Sequence, residues 1–225
     1  MVNPNKYLDT NINGFNNVIK LIKKYKVDKF IYASSSSIYG DVKKFPINEN
    51  YPLNPKSIYG ISKKINEEVG NYYSKIVKTQ IIGLRFFTVY GEWGRPDMFM
   101  LKLFQSFFKK SFFYLNNYGN HDRDFTYIGD VTNMINKIIK KKFKDHTIFN
   151  ICSNRPKNIL KILNKFNKDY PVKFKMIKKD KADVLKTHGD NKKIIKSISH
   201  IKFSDFDRKF MDTFEWYKKN KIYKL

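Results

Sequence analysis

Ile12, Phe15, Val18, Ile19 and Ile22 recur at intervals of three and four, a spacing that predicts a helix over residues 7–25. A charged turn follows, then the apolar run Phe30-Ile31-Tyr32-Ala33, which reads as a buried strand. The strand runs into four serines, Ser34 to Ser37, and then Ile38-Tyr39-Gly40. Pro46, Pro52 and Pro55 mark a loop. A second helix is predicted from Tyr59 to about Val77, and a second apolar strand from Gln80 to Phe87. The alternation of helix and strand predicts an α/β domain with a parallel sheet, because parallel pairs need helical crossovers.

Beyond Tyr90 the texture changes. Gly91, Gly94 and Pro96 suit a loop, and Met98, Leu101, Phe104, Phe107 and Phe108 suit a helix. An extended stretch, Phe112 to Leu115, leads through a polar turn to Arg123-Asp124-Phe125-Thr126-Tyr127-Ile128. Val131, Met134, Ile135, Ile138 and Ile139 predict a helix, and Thr147 to Cys152 a strand that is expected to return to the main sheet. Pro156 is expected in the first turn of the helix carrying Ile159, Ile162, Leu163 and Phe166. Residues 172–177 read as a strand. The last helix places Phe206, Phe210, Phe214 and Tyr217 on one face.

The chain has 225 residues, 41% of them hydrophobic and 16% aromatic, enough for a sizeable core. A single cysteine, Cys152, excludes an internal disulfide and a cysteine-built zinc cage, and reads as a small buried residue. No apolar run approaches the length of a membrane span, and the first thirty residues hold no secretory h-region. The expected setting is the reducing cytoplasm, with no membrane partner. The net charge of +25 invites a nucleic-acid reading. Its make-up argues against one: arginine occurs only at 85, 95, 123, 155 and 208, and the lysines are scattered. Lysine, asparagine, isoleucine, phenylalanine and tyrosine share A- and T-rich codons, so base bias explains the set, and no nucleic-acid partner is expected. A basic nucleic-acid-binding protein is the competing class, and it would bind with steep salt dependence.

The sharpest chemical constellation is Tyr59-Gly60-Ile61-Ser62-Lys63. On a helix, residues four apart share a face, so the Lys63 ammonium approaches the Tyr59 phenol. A nearby cation favours the phenolate, which makes a usable base near neutral pH. The spacing alone is weak, since Tyr25 with Lys29 and Tyr217 with Lys221 share it. The serines upstream add context, because the carboxyl ends of parallel strands are where α/β sheets bind ligands. The plainer reading is a serine-rich loop capping a strand. His121, His146, His188 and His200 show no metal spacing and read as surface or incidental.

Tyr32-Ala33-Ser34-Ser35-Ser36-Ser37-Ile38-Tyr39-Gly40, Tyr59-Gly60-Ile61-Ser62-Lys63 and Leu84-Arg85-Phe86-Phe87-Thr88-Val89-Tyr90-Gly91 together resemble extended short-chain dehydrogenases/reductases that act on nucleotide sugars. Trp93-Gly94-Arg95-Pro96-Asp97-Met98 and Arg123-Asp124-Phe125-Thr126-Tyr127-Ile128 sharpen the resemblance toward UDP-glucuronate 4-epimerases. The resemblance covers nearly the whole chain, in the family's order. It implies NAD as cofactor and a UDP-sugar as substrate. Tyr59 would take the proton of the sugar 4-hydroxyl and NAD the C4 hydride. The 4-keto sugar would turn, and the hydride would return to its other face. Lys63 would hold the nicotinamide ribose, with Phe86 also on the cofactor side. Ser35 takes the serine position of the triad, and Ser36 does so if the register slips by one.

The same resemblance implies that Ser36, Ser37, Thr88 and Arg95 hold the sugar carboxylate, a task suited to arginine's fork. It puts Arg123 on the diphosphate and Asp183 on the nucleotide ribose, although Ala182 stands where the family usually has glycine. Plainer alternatives stay open: a solvated Arg95, an Arg123 paired with Asp122 or Asp124, and a Thr88 hydroxyl bonded to backbone. No carboxylate follows Ser35 closely, so simple epimerisation is preferred over elimination. Surface-polysaccharide synthesis is the family's expected pathway.

One family feature is absent. Among the ten glycines only Gly91 and Gly94 have a spacing like that of the pyrophosphate-binding turn, and they follow the tyrosine helix. The expected fold is therefore α/β, an N-terminally truncated Rossmann-type parallel sheet with a smaller C-terminal substrate-binding α/β part. Residues 1–90 would form the incomplete dinucleotide-binding half and residues 91–225 mainly the substrate-binding half, interleaved with it. Roughly the first ninety residues of a full-length member are expected to be missing, so NAD should bind this polypeptide poorly. A homodimer, or a separate chain supplying the missing segment, is the expected partner. A non-catalytic UDP-sugar-binding remnant is the alternative.

Overall fold

The computed structural model describes residues 4–178, 184–199 and 201–221. The chain opens with helix α1 (Pro4–Tyr7), widens into a π-helical run at Leu8–Asn13, and continues as α2 (Gly14–Tyr25). The predicted single helix is thus one path with an expanded middle. Asn11, in that middle, donates from Nδ2 to Ser62 Oγ at 2.9 Å and pins the wide turns to the next helix but one along the chain. Lys26, at φ 49°, ends α2 in a left-handed cap.

Strand β1 (Lys29–Ser35), helix α3 (Ile58–Ser74) and strand β2 (Gln80–Phe86) follow the predicted alternation. β1 and β2 pair in parallel, Ser34 opposite Arg85 and Ser35 opposite Phe86. After the short strand β3 (Thr88–Tyr90) come helix α4 (Phe99–Phe108), strand β4 (Phe113–Asn116), strand β5 (Asp122–Tyr127) and helix α5 (Ile128–Lys140). β6 (His146–Ile151) returns to pair in parallel with β2, giving the main sheet the order β1-β2-β6.

Side-chain alternation covers both faces of this sheet. Tyr32 and Ile81 pack with Ile19 and Ile22 of α2 and Val69 and Tyr73 of α3. Ile82, Leu84, Phe149 and Ile151 pack with Val131, Met134 and Ile138 of α5 on the other face. Ile194 and Ile198 of α7 (Lys192–Ile198) complete that layer.

The remaining strands form two small sheets. β3 pairs in parallel with β5, and β5 pairs antiparallel with β7 (Pro156–Asn158). β4 pairs in parallel with β8 (Phe174–Ile177). Helices α4, α6 (Ile159–Asp169) and α8 (Phe206–Lys219) enclose a phenylalanine core between them. In it Phe214 lies 5.2 Å from Phe104 and 5.1 Å from Phe166, ring centre to ring centre.

Pro156 does not open the helix after it. It lies in β7 opposite Asp124, and α6 starts at Ile159 with Asn158 as its cap, the Asn158 side chain accepting from Lys161 N at 3.1 Å. The reason is positional: an edge strand tolerates a residue without an N–H, and asparagine is the better cap. His121 is also not a surface residue, being only 5% exposed between β4 and β5. Among the described residues no helix is long and apolar enough to cross a membrane.

Candidate active site

β1 delivers the serines to the carboxyl end of the main sheet. Ser35 is extended (φ −153°, ψ 147°) and caps a one-turn 3-10 helix, Ser36–Ile38. Its Oγ accepts from Ser37 N at 3.2 Å and donates to Ser37 Oγ at 3.1 Å. Ser34 faces the other way and donates to Glu67 Oε1 of α3 at 2.5 Å.

α3 begins immediately beside this turn. Ser57 caps it, accepting from Gly60 N at 3.1 Å. Tyr59 sits half-buried in the first turn, its ring edge-on to Tyr7 at 5.7 Å. Gly60 is required by proximity: a Cβ there would stand 2.7 Å from Ser37 O. One turn on, Lys63 Nζ lies 5.8 Å from the centre of the Tyr59 ring and donates to Ala33 O of β1 at 3.0 Å. Burial draws the Lys63 ammonium below its ordinary pKa. A further turn on comes Glu67. Tyr59, Lys63 and Glu67 thus share one helix face, and the last two both grip β1.

Beneath the serine turn lies a buried polar floor. Arg85 of β2 donates twice to Glu67, Nε to Oε1 at 2.9 Å and Nη2 to Oε2 at 2.7 Å. Its Nη1 donates to Tyr39 Oη and to Glu49 O, both at 2.8 Å. Tyr39 donates to Asn150 Oδ1 of β6 at 2.7 Å, and burial pushes its pKa up to about 12. Asn150 N donates to Glu49 Oε1 at 2.8 Å. Every strand of the main sheet therefore contributes to one satisfied network, which holds the serine turn and α3 in register.

Above this floor opens a cleft of about 530 Å³. Ser35, Ser36, Ser37 and Tyr59 line it, as do Phe86, Thr88, Arg95 and Arg123. Lys63 is not among the residues that line it. Asp183 lies outside the described residues. Arg95 carries its fork on the Asp97 carboxylate, Nε to Oδ1 at 3.0 Å and Nη2 to Oδ2 at 2.5 Å, with both side chains exposed. The pairing raises the Arg95 pKa, and lowers that of Asp97 against the desolvation that would raise it. Arg123 Nη1 donates to the carbonyls of Asp122 and Leu185 at 3.0 and 3.1 Å, not to the Asp122 carboxylate.

Several wall residues were not anticipated. Glu92, Trp93, Lys186 and Thr187 also line the cleft. The segment bearing Lys186 and Thr187 is fastened by Asp124, which is fully buried. Asp124 accepts from Gly189 N at 3.0 Å and from Ser153 N and Oγ at 3.1 and 2.8 Å, while its own N donates to Thr187 Oγ1 at 3.1 Å. Desolvation pushes its carboxyl pKa up. Glu67 was detectable in principle, as the residue one turn beyond Lys63 on the same face.

An ammonium 5.8 Å from a phenol ring at a strand end has the chemistry to meet the hydroxyls of a nicotinamide ribose, and Phe86 lines the same cleft as Tyr59. Gly91 and Gly94 do not suit the pyrophosphate of NAD. A Cβ on Gly91 would collide with Ile128, and Gly94 packs on Tyr217, so neither forms an open turn.

The sequence profile of the NAD dependent epimerase/dehydratase family matches residues 1–152. The chain belongs to that family. It is 34% identical over 226 residues to the uncharacterized protein MJ1055 of Methanocaldococcus jannaschii, covering 99% of this chain and 69% of that protein. It is 41% identical over 136 residues to UDP-glucuronate 4-epimerase 4 of Arabidopsis thaliana, covering 58% of this chain and 31% of the plant protein. Among solved structures, UDP-glucuronic acid 4-epimerase from Bacillus cereus, in complex with UDP-glucuronic acid and NAD, superposes with a TM-score of 0.88 at 26% identity. That match covers 95% of this chain and 68% of the other. The α/β architecture with its parallel main sheet is thus the Rossmann-type fold of the family, whose chemistry is NAD-dependent.

Proposed function

We propose that this chain carries the substrate-binding and proton-transfer part of a nucleotide-sugar 4-epimerase, converting UDP-glucuronate to UDP-galacturonate through a 4-keto sugar. The observation that carries the reading is the convergence of Ser35 and Tyr59 with two arginines, Arg95 and Arg123, on one cleft. Bound NAD supplies the hydride acceptor and donor for C4. Tyr59 takes the 4-hydroxyl proton and gives it back, with the Lys63 ammonium one helical turn away, 5.8 Å from the centre of its ring. The Ser35 hydroxyl steadies the same sugar oxygen, a task that passes to Ser36 if the register differs by one. Ser36, Ser37, Thr88 and Arg95 receive the sugar carboxylate.

A second cavity, of about 220 Å³, shares Thr88, Met98 and Arg123 with the first and extends along β4. Arg123 between the two cavities suits the diphosphate, the second cavity suits the nucleoside, and Asp183 is assigned to the ribose. The lack of a carboxylate just after Ser35 favours epimerisation over elimination. In this reading the pyrophosphate of NAD is held by a glycine-rich segment outside these 225 residues. Val18, Leu21 and Tyr25 leave an exposed apolar stripe on α2, suited to a second copy of the chain.

Isothermal titration of UDP-glucuronate and UDP-glucose into the chain tests the assignment. Tighter binding of the uronate, with the preference lost in Arg95→Ala, is expected. Absence of binding by either sugar nucleotide overturns it. The packed Gly91 and Gly94 favour a second reading, binding without turnover. Chromatographic detection of UDP-galacturonate after incubation with NAD separates the two.

A further inference from the structure

We propose that Tyr217, on the C-terminal helix α8, is a positioning residue for Arg95 and thereby sets the preference for an acidic over a neutral sugar. The inference rests on the uronate reading and adds to it a residue from outside the segment matched by the family profile.

The ring and the hydroxyl of Tyr217 have separate tasks. The ring is core: it packs 5.7 Å from Phe104, and the residue is 1% exposed. Phenylalanine would serve that purpose equally. The hydroxyl reaches out of the core to the loop between β3 and α4. It accepts from Gly94 N at 2.7 Å and donates to Gly91 O at 3.3 Å, bridging the loop from one side to the other. Burial raises the phenol's pKa, so the group keeps the proton it donates.

The loop needs such a hold. Trp93 adopts φ 56°, a left-handed conformation that a bulky side chain occupies only when its surroundings enforce it. Its neighbour in α8, Trp216, meets the Trp93 ring at 5.3 Å. Glu92 accepts the Tyr127 hydroxyl at 3.0 and 3.1 Å. Positions 91–94 are therefore fixed from α8 and β5, and Arg95 leaves this fixed base with an exposed side chain. Its pair with Asp97 is exposed too, and exposed pairs are weak. A substrate carboxylate can exchange for Asp97 at small cost, provided the backbone holds the guanidinium in reach.

The test is Tyr217→Phe in the full 225-residue chain, titrated with UDP-glucuronate and UDP-glucose. Loss of the hydroxyl should weaken UDP-glucuronate by about three- to tenfold, the scale of one or two hydrogen bonds. UDP-glucose should change less than twofold, and amide exchange should rise at 91–95 but not in α8. Equal weakening of both sugars, or no change in either, overturns the inference while the uronate reading stands. A wild-type chain with no preference for the uronate overturns that reading and this inference with it. Should the phenylalanine variant fail to fold, Trp216→Leu, which removes the ring that meets Trp93 at 5.3 Å and Tyr217 at 5.2 Å, gives the same ratio test.

Discussion

Arg85 and Glu67 meet through two hydrogen bonds of 2.7 and 2.9 Å with side chains only 5% and 6% exposed, joining the middle strand of the main sheet to the tyrosine helix. Neither charge has water to fall back on. Removing one leaves the other buried and uncompensated, which costs far more than the pair itself contributes. Glu67→Ala is expected to lower unfolding stability by about 3–5 kcal/mol, and Glu67→Met with Arg85→Met to recover only part of it, because Ser34 Oγ and Glu49 O lose their partners. Urea unfolding of the three proteins measures both. A single variant as stable as the double would show that water or another group compensates the charge.

On the proposed mechanism, removing the hydroxyl of Tyr59 is expected to change turnover far more than sugar binding. In an NAD-competent assembly, Tyr59→Phe should reduce epimerisation by about two to four orders of magnitude, the usual contribution of a positioned acid–base group. UDP-glucuronate affinity should stay within about twofold, since the ring remains. A variant that keeps most of its turnover would move the proton transfer to another residue.

His146 gives the fold a pH dependence of its own. Its Nε2 lies 2.8 Å from Tyr32 Oη, and burial lowers its pKa from 6.5 to about 4. Tyr32 keeps its proton, because desolvation raises its pKa strongly, so the imidazole accepts and stays neutral in the native state. The unfolded chain binds a proton near pH 6.5 that the folded chain refuses until about pH 4. Stability from this group is therefore full above pH 6.5 and falls away between the two values. The site is partly exposed, so the loss is on the order of 1–2 kcal/mol. Thermal unfolding across that range should show the decline in wild type and a flatter profile in His146→Gln.

Gly60→Ala tests the closeness of helix and serine turn. The added methyl has 2.7 Å to Ser37 O and 3.0 Å to Pro55 Cβ, so the start of α3 must move. Both stability and uronate binding should fall, although alanine is the better helix former. An alanine variant of unchanged stability and affinity would show that the turn yields instead.

Much of the framework was legible because its signals are local. β1 and β2 are apolar runs, and α2, α5 and α8 repeat their apolar residues at helical spacing. The return of Thr147–Cys152 to the main sheet followed from the same logic and is seen in the pairing of β6 with β2. What escaped depends on partners remote in sequence. β3 is three residues long and exists through its pairing with β5. β7 is Pro-Lys-Asn, a strand only because Asp122 to Asp124 lie beside it. α7 has Ile194 and Ile198 one turn apart, too short an apolar repeat among its lysines to signal a helix. In the cleft the serines, Tyr59 and the two arginines were marked by motif. Glu67 and Asn150 were not, and Asp124, though inside the motif of Arg123, was given no task of its own, because a polar residue reads as exposed until the groups that satisfy it are known.

The placement of β6 has a consequence for synthesis. The Tyr39–Asn150 hydrogen bond closes the floor beneath the serine turn across 111 positions of sequence. As the polypeptide leaves the ribosome, Ser35 and Tyr59 emerge long before Asn150, and until then Arg85 and Tyr39 face an unfinished sheet. The floor of the pocket thus waits on a late-translated strand, and a nascent chain halted before residue 146 would carry the proposed catalytic residues without the surface that aligns them.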